Sequence, residues 1–139
     1  MIFMLYQFDI DYGSKNETDC FEKIQKFFNN EKLQKLDYYN PFDFTNSDNT
    51  IMIELKSRRC TINEYNDTMI SISKINKAKR LVKNKNKNMQ IFFFFYYLQN
   101  NLYYWKYDDK TDLRVDDNCN YRGIRKPYAY TPTKLLIKI

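Results

Sequence analysis

The run Ile91–Leu98 places the strongest constraint on how this chain can fold. Its eight residues read Ile-Phe-Phe-Phe-Phe-Tyr-Tyr-Leu. A helix that spans a membrane needs about 20 apolar residues, so this run is far too short for one. Consecutive aromatic residues fill both faces of a strand, which is typical of a strand that is buried inside a sheet. We therefore predict a buried central strand here.

The surrounding segments predict an alternation of helices and strands. Ser14 and Glu17 fit a capping box, and apolar residues at helical spacing follow, so a helix is predicted at 15–29 and a second one at 71–84. Strands are predicted at 2–10, 36–45, 50–58, 89–98, 102–107 and near the C-terminal end, with a polar loop at 108–127. This order predicts an α/β fold in which helices flank a mixed β-sheet, as one domain over residues 1–139.

The segment Ile51–Lys56 carries the residues best suited to chemistry. It reads Ile-Met-Ile-Glu-Leu-Lys, and in a strand successive residues point to opposite faces. Glu54 and Lys56 then lie side by side, roughly 6–7 Å apart at their Cα atoms. A turn at 46–49 would form a hairpin and fold Asp43 back beside this strand. Two carboxylates can hold a hard cation, and a lysine can orient a water molecule or stabilise negative charge.

This arrangement resembles a known nuclease motif. Asp43 followed by Glu54–Lys56 resembles the core motif of the PD-(D/E)XK nuclease superfamily, which has the restriction-endonuclease-like fold. One difference is that Phe42 separates Pro41 from Asp43, whereas the proline of the motif directly precedes the aspartate.

The likeness extends beyond the motif. Ser57–Arg59, and the stretch Tyr65–Ile70 together with Lys74, are similar to small nucleases of this superfamily from phages and large DNA viruses. The resemblance spans about a quarter of the chain. It implies a restriction-endonuclease-like core and an endonuclease that hydrolyses phosphodiester bonds, with DNA as the expected substrate and Mg²⁺ or Mn²⁺ as the cofactor. It also implies that a homodimer can be the unit that cuts both strands.

The resemblance assigns roles to individual residues. It implies that Asp43 and Glu54 bind the metal together with the backbone carbonyl of Leu55. Lys56 would position the attacking water and stabilise charge on the phosphate. An acid on the first helix often completes such a site, and Glu22 is the first candidate, with Glu17 as the alternative.

A basic run suggests a polyanionic partner. The stretch from Lys74 to Lys87 holds seven basic residues and no acid, and the chain carries a net charge of +6. Like charges one turn apart repel each other on a helix, so charge of one sign favours a phosphate backbone as partner. A lysine-rich helix face without a partner is the alternative. The predicted nucleic-acid contacts are Arg58, Arg59, Lys74, Lys77 and Arg80.

Composition excludes several kinds of enzyme. Histidine is absent, which excludes Ser-His-Asp and Cys-His catalysis, HNH-type nucleases and histidine-ligated zinc. The cysteines Cys20, Cys60 and Cys119 form no CxxC pair and are expected to be reduced thiols. We therefore predict an intracellular protein that is neither secreted nor membrane-bound, in the cytoplasm or nucleus of a host cell. The excess of Asn, Lys and Tyr is compatible with a viral gene.

Two functions that do not involve catalysis are also compatible with the sequence. The first is a non-catalytic nucleic-acid-binding module that keeps the fold and the basic helix. The second is a viral structural or interaction protein in which Glu54 and Lys56 form an ordinary surface salt bridge. A position of Asp43 far from Glu54 would favour the first reading, and the second predicts no affinity for cations.

Overall fold

The computed structural model describes the backbone of residues 2–84, 88–117, 120–121 and 124–139. Its helices are α1 (Ile2–Phe27) and α2 (Ile72–Asn84). The strands are β1 (Gln34–Lys35), β2 (Phe44–Thr45), β3 (Ile51–Ser57), β4 (Asp67–Ser71), β5 (Gln90–Tyr97), β6 (Asn101–Lys106), β7 (Arg114–Asp116), β8 (Asn120–Tyr121), β9 (Ile124–Arg125), β10 (Tyr128–Pro132) and β11 (Ile137–Lys138). Short 3-10 turns follow β5 and β10. The predicted mixed α/β class is confirmed.

The main sheet has six strands in the order β1-β2-β3-β5-β6-β11. Strands β3 and β5 run parallel, and the other neighbours in this sheet are antiparallel. The connection from β3 to β5 contains α2, as a parallel pair requires a crossover. Residues 91–97 of β5 are all buried, so the predicted central strand is confirmed. A second sheet has the order β4-β10-β7, and β8 pairs with β9.

Strand β3 separates two hydrophobic cores. Ile51, Ile53 and Leu55 pack in the core that includes Cys20 and Ile24 of α1. Met52 packs in the other core, which includes Ala78 and Leu81 of α2. The alternation predicted for this strand is therefore confirmed. Because Glu54 and Lys56 have the same parity as Met52, they lie on the face that α2 covers.

The turn between β2 and β3 is held by a buried asparagine. The side-chain oxygen of Asn46 accepts hydrogen bonds from the backbone N–H of Thr50 at 2.9 Å and of Ile51 at 3.0 Å. This fixes an antiparallel register in which Phe44 lies opposite Ile53. The hairpin predicted around residues 46–49 is confirmed, and the β5–β6 hairpin is confirmed as well.

The strand predicted at 2–10 is wrong, because these residues belong to α1. A short apolar run cannot be assigned to a strand or a helix by periodicity alone. No proline separates this run from the amphipathic residues that follow. Extending a helix that already exists costs less than starting a new element, which explains the continuous helix. No helix within the described residues is long and apolar enough to span a membrane.

Two other predicted segments need correction, and one strand lies outside the predicted ones. Of the extended stretch predicted at 36–45, only Phe44–Thr45 pairs as a strand, because the residues before it form turns around Pro41. The loop predicted at 108–127 contains β7, β8 and β9, whose polar residues give no apolar alternation. Strand β4 was not predicted, although Thr68 and Ile70 alternate with more exposed neighbours.

Candidate active site

Asp43 lies directly before β2 and contacts the edge of β3. Its backbone N–H donates a hydrogen bond to the carbonyl oxygen of Ile53 at 2.8 Å. Its side-chain Oδ2 accepts a hydrogen bond from the backbone N–H of Leu55 at 2.7 Å. The carboxylate thus binds β3 beyond the point where β2 pairs with it. The hairpin therefore brings Asp43 beside the segment Glu54–Lys56, as the sequence predicts.

The backbone of Leu55 faces the same edge as Asp43. In a strand the N–H and C=O of one residue point to the same side, and the N–H of Leu55 points to the Asp43 carboxylate. The last residue of β3 that pairs with β2 is Ile53. The Leu55 carbonyl is therefore directed to the edge where β2 no longer covers β3. This is the position in which a carbonyl can serve as an additional oxygen ligand.

Glu54 is a buried carboxylate held between two ammonium groups. Its exposed fraction is 3%. Its Oε1 lies 3.3 Å from Nζ of Lys56, and its Oε2 lies 3.3 Å from Nζ of Lys74. The side chain of Lys56 is 52% exposed, whereas that of Lys74 is 22% exposed. A buried charge is tolerated when it is paired and hydrogen-bonded. Both oxygens of Glu54 are ion-paired, and Oε2 also accepts a hydrogen bond from the ammonium of Lys74.

The placement of Lys74 follows from the join between β4 and α2. Strand β4 leads directly into α2, so Lys74 falls in the first turn of the helix. Its backbone N–H lies 3.4 Å from the side-chain oxygen of Ser71, and its ammonium lies 5.9 Å from the centre of the Phe42 ring. The start of α2 is thereby packed against the segment that carries Asp43.

The environment of Asp43 opposes its ionisation. Burial and then the negative charge of Glu54 raise the pKa of Asp43 to about 7, and the charge of Glu17 adds to this. The hydrogen bond from Leu55 and the charge of Lys56 act in the opposite direction. A carboxyl group normally loses its proton well below neutral pH. The raised pKa of Asp43 therefore means that holding its negative charge in this buried place beside Glu54 costs free energy. A cation that binds to both would remove that cost.

A third carboxylate near the site comes from Glu17. Its charge acts on Asp43, and its Oε1 lies 2.8 Å from Nζ of Lys35. The hydrogen bond with Glu17, followed by the charge of that carboxylate, raises the pKa of Lys35. The neighbouring side chain of Asn16 is buried and donates to Oγ of Ser57 at 3.0 Å, which joins α1 to the end of β3.

Glu22 does not join this group of side chains. It is exposed and forms its ion pair with Lys26 at 3.9 Å. The structure therefore favours Glu17, the alternative candidate, over Glu22. The spacing of the sequence contains this signal, because Glu17 continues the helical stripe of Phe21 and Ile24, whereas Glu22 falls outside it.

The predicted nucleic-acid contacts divide into two groups. Arg58 is used inside the protein: its guanidinium donates to Oγ1 of Thr68 at 2.8 Å and to the carbonyl of Met69, and it lies over the ring of Phe95 at 5.5 Å. The other predicted contacts are partly or fully exposed: Arg59, Lys74, Lys77 and Arg80. Of these, Lys74 is ion-paired with Glu54. Lys85 and Lys87 of the basic run, and Cys119, lie outside the described residues.

The donor atoms at this site suit a hard divalent cation. Among the described residues no group of three or more His, Cys, Asp or Glu side chains is placed to hold a metal ion. Mg²⁺ keeps several water ligands, so two carboxylates and a carbonyl suffice for it. An ionised carboxylate has about four lone-pair sites, so Glu54 can accept from lysines and still bind a cation. Asp43, Glu54 and the Leu55 carbonyl therefore fit the predicted Mg²⁺ or Mn²⁺.

Comparisons of the chain with protein-family models, with curated proteins and with solved structures find no match. Function is therefore inferred from the side chains of the site themselves. Lys35 was missed by sequence reasoning, because nothing in the local pattern distinguishes it from other exposed lysines.

Proposed function

We propose that this chain is a metal-dependent endonuclease with a restriction-endonuclease-like core, which hydrolyses phosphodiester bonds in DNA. The observation that carries the proposal is that one hairpin brings the carboxylate of Asp43, bound to the N–H of Leu55, near enough to the buried Glu54 for their charges to interact, next to the half-exposed side chain of Lys56. The homodimer and the intracellular location stay predictions.

Each residue of the site has a role in the proposed reaction. Asp43, Glu54 and the Leu55 carbonyl hold the cation, which when bound would activate a water molecule and neutralise charge on the phosphate. Of the two lysines that contact Glu54, Lys56 has the more exposed side chain. Lys56 is therefore the one that can contact the phosphate and orient the water. Lys74 keeps the Glu54 carboxylate in position.

The burial of Glu54 argues against an ordinary surface salt bridge. Charges in such bridges stay in water and contribute little to stability. Glu54 is instead 3% exposed, and removing a carboxylate from water costs several kcal/mol before pairing offsets it. Burial together with the charge of Glu54 perturbs the pKa of Asp43, and perturbed groups of this kind cluster at functional sites.

The basic helix α2 supplies a surface for the phosphate backbone. Its described part, Ile72–Asn84, contains no acidic residue. Its first turn reaches the candidate site, because Lys74 is ion-paired with Glu54. The remaining basic residues of the helix extend the positive charge away from Glu54. A polyanion bound along α2 would therefore pass the two carboxylates.

Cleavage of supercoiled plasmid and of branched DNA with Mg²⁺ or Mn²⁺ tests the proposal. The wild-type chain is compared with Glu54→Gln and Lys56→Ala, and Glu22→Gln serves as the control because it removes an exposed carboxylate from α1. We expect metal-dependent cutting that falls about 100-fold or more in the first two variants and is unchanged in the control.

The other outcomes identify the rival functions. No cutting by any form, with salt-dependent DNA binding that survives both substitutions, would indicate the non-catalytic nucleic-acid-binding module. Neither cutting nor DNA binding would favour a structural or interaction protein. Equal cutting by the wild type and by Glu54→Gln would place the active site elsewhere.

A further inference from the structure

The loop between β1 and β2 carries two tyrosines that are almost completely exposed. The exposed fraction is 92% for Tyr38 and 91% for Tyr39. Among the large hydrophobic side chains that the structure describes, the next most exposed is Tyr65, at 62%. Burying the large apolar surface of an aromatic ring is favourable, so two neighbouring exposed rings form a suitable binding surface for another molecule.

The shape of this loop is fixed by its own side chains. Oδ1 of Asp37 accepts hydrogen bonds from the backbone N–H of Tyr39 and of Asn40, each at 3.1 Å. Oδ1 of Asn40 accepts from the N–H of Phe42 at 3.0 Å. The rings of Tyr38 and Tyr39 meet edge to face, with centres 5.5 Å apart and planes at 85°. The loop therefore presents both rings in a defined arrangement.

The base of the same loop holds the candidate active site. The backbone N–H of Leu36 donates to the carbonyl of Asp43 at 2.8 Å and closes the loop. Tyr39 precedes Asp43 by four residues, so their Cα atoms are at most about 14 Å apart. Successive nucleotides of one DNA strand rise about 3.4 Å along the helix. Tyr38 precedes Asp43 by five residues, which sets a limit of about 18 Å. The tyrosines therefore lie within roughly five nucleotides of a phosphate bound at the site.

We propose that Tyr38 and Tyr39 stack on unpaired bases beside the phosphate that is cut. This proposal rests on the proposed nuclease function and deepens it, because it names the substrate class. Bases inside a continuous duplex stack on each other and offer no face to a protein ring. Stacking on an aromatic ring accepts every base, so the preferred substrate is DNA with an unpaired strand, whatever its sequence.

The charges around the loop favour a nucleic acid as the occupant. Exposed tyrosines can also anchor a protein partner. Here, however, two lysines lie at the site on which the loop closes. Lys35 is ion-paired with Glu17 and Lys56 with Glu54, yet their side chains stay 70% and 52% exposed, and the chain has a net charge of +6. Aromatic rings next to positive charge form the combination that binds single strands, in which bases stack and phosphates are neutralised.

Binding measured without a divalent cation tests the stacking directly. The probes are a single strand labelled with a fluorescent base, a branched DNA and a duplex. The double variant Tyr38→Ala/Tyr39→Ala is compared with Tyr38→Phe/Tyr39→Phe, and Tyr65→Ala is the matched control. We expect the alanine pair to weaken binding of the single strand about tenfold or more, and to leave duplex binding unchanged. The phenylalanine pair and the Tyr65 control should bind like the wild type.

Several results would overturn the stacking. Equal single-strand binding by the wild type and the alanine pair would do so. A wild-type dimer that the alanine pair converts to a monomer, with unchanged DNA binding, would identify a second copy of the chain as the occupant. Cutting of branched DNA that needs Glu54 but not the tyrosines would overturn the stacking and retain the nuclease. Tyrosine-dependent binding without any cutting would support the stacking and overturn the nuclease.

Discussion

Replacing Asp43 by asparagine should stabilise the folded protein at and above neutral pH. The pKa of this carboxyl group is raised from 3.8 to about 7, first by burial and then by the charge of Glu54. The folded chain therefore binds more protons than the unfolded chain between about pH 4 and pH 7. Its free energy of unfolding falls as pH rises through that window and is level above it. Asparagine removes the charge and can still accept the hydrogen bond from Leu55.

The size of this effect follows from the shift in pKa. A rise of about three pKa units corresponds to roughly 4 kcal/mol, at about 1.4 kcal/mol per unit. Asp43 is partly exposed, which reduces the value, so we expect Asp43→Asn to gain about 2–4 kcal/mol near pH 8. The gain should shrink by about 2–3 kcal/mol near pH 5, because the folded wild type is then largely protonated.

Urea unfolding followed by tryptophan fluorescence measures this difference. The chain has one tryptophan, Trp105, and it is buried, so its emission reports global unfolding. Asp112→Asn, which removes an exposed aspartate, is the control and should leave the free energy of unfolding unchanged. The reasoning is refuted if Asp43→Asn is no more stable than the wild type near pH 8, or if its gain is the same near pH 5.

Four further substitutions separate structural roles from functional ones. Lys74→Ala should lower the free energy of unfolding by about 2–4 kcal/mol, because it removes one of the two partners of the buried Glu54. Lys56 is more exposed, so Lys56→Ala should lower it by less than about 1 kcal/mol. Urea unfolding compares the two variants. Arg58→Ala should cost about 1–3 kcal/mol and speed hydrogen exchange in β4, to which Arg58 is bound; unchanged exchange would contradict this. Arg80→Ala should leave stability within about 0.5 kcal/mol and reduce the salt dependence of DNA binding by about one charge; an unchanged slope would exclude Arg80 as a contact.

The parts of the fold that could be predicted are those with a strong local pattern. The aromatic run of β5 and the alternation in β3 each specify burial on defined faces, and both are confirmed. Helix α2 begins at Ile72, close to the predicted start. The first residues of α1 and the polar strands β7 to β9 lack such a pattern. Their structure depends on the helix or strands beside them, which local periodicity does not encode.

The candidate site was predictable to a similar extent. The spacing of Asp43, Glu54 and Lys56 on a hairpin predicts that the three lie together, and the contacts of Asp43 with Leu55 and of Lys56 with Glu54 agree with this. Glu17 could have been preferred over Glu22 from the helical stripe alone. The exposed tyrosines of the β1–β2 loop gave no such signal, because tyrosine is frequent throughout this chain and exposure cannot be read from composition.

Calorimetric titration with Mn²⁺ and Mg²⁺ tests the central claim most directly, since it measures the cation at the two carboxylates without requiring the right DNA. The wild-type chain, Asp43→Asn, Glu54→Gln and Lys56→Ala are titrated near pH 8, where Asp43 is ionised. We expect specific binding by the wild type, its loss in both carboxylate variants and its retention in Lys56→Ala. Binding that is equally tight in Asp43→Asn and Glu54→Gln, or no binding of either ion by the wild type at millimolar concentration, would contradict the account.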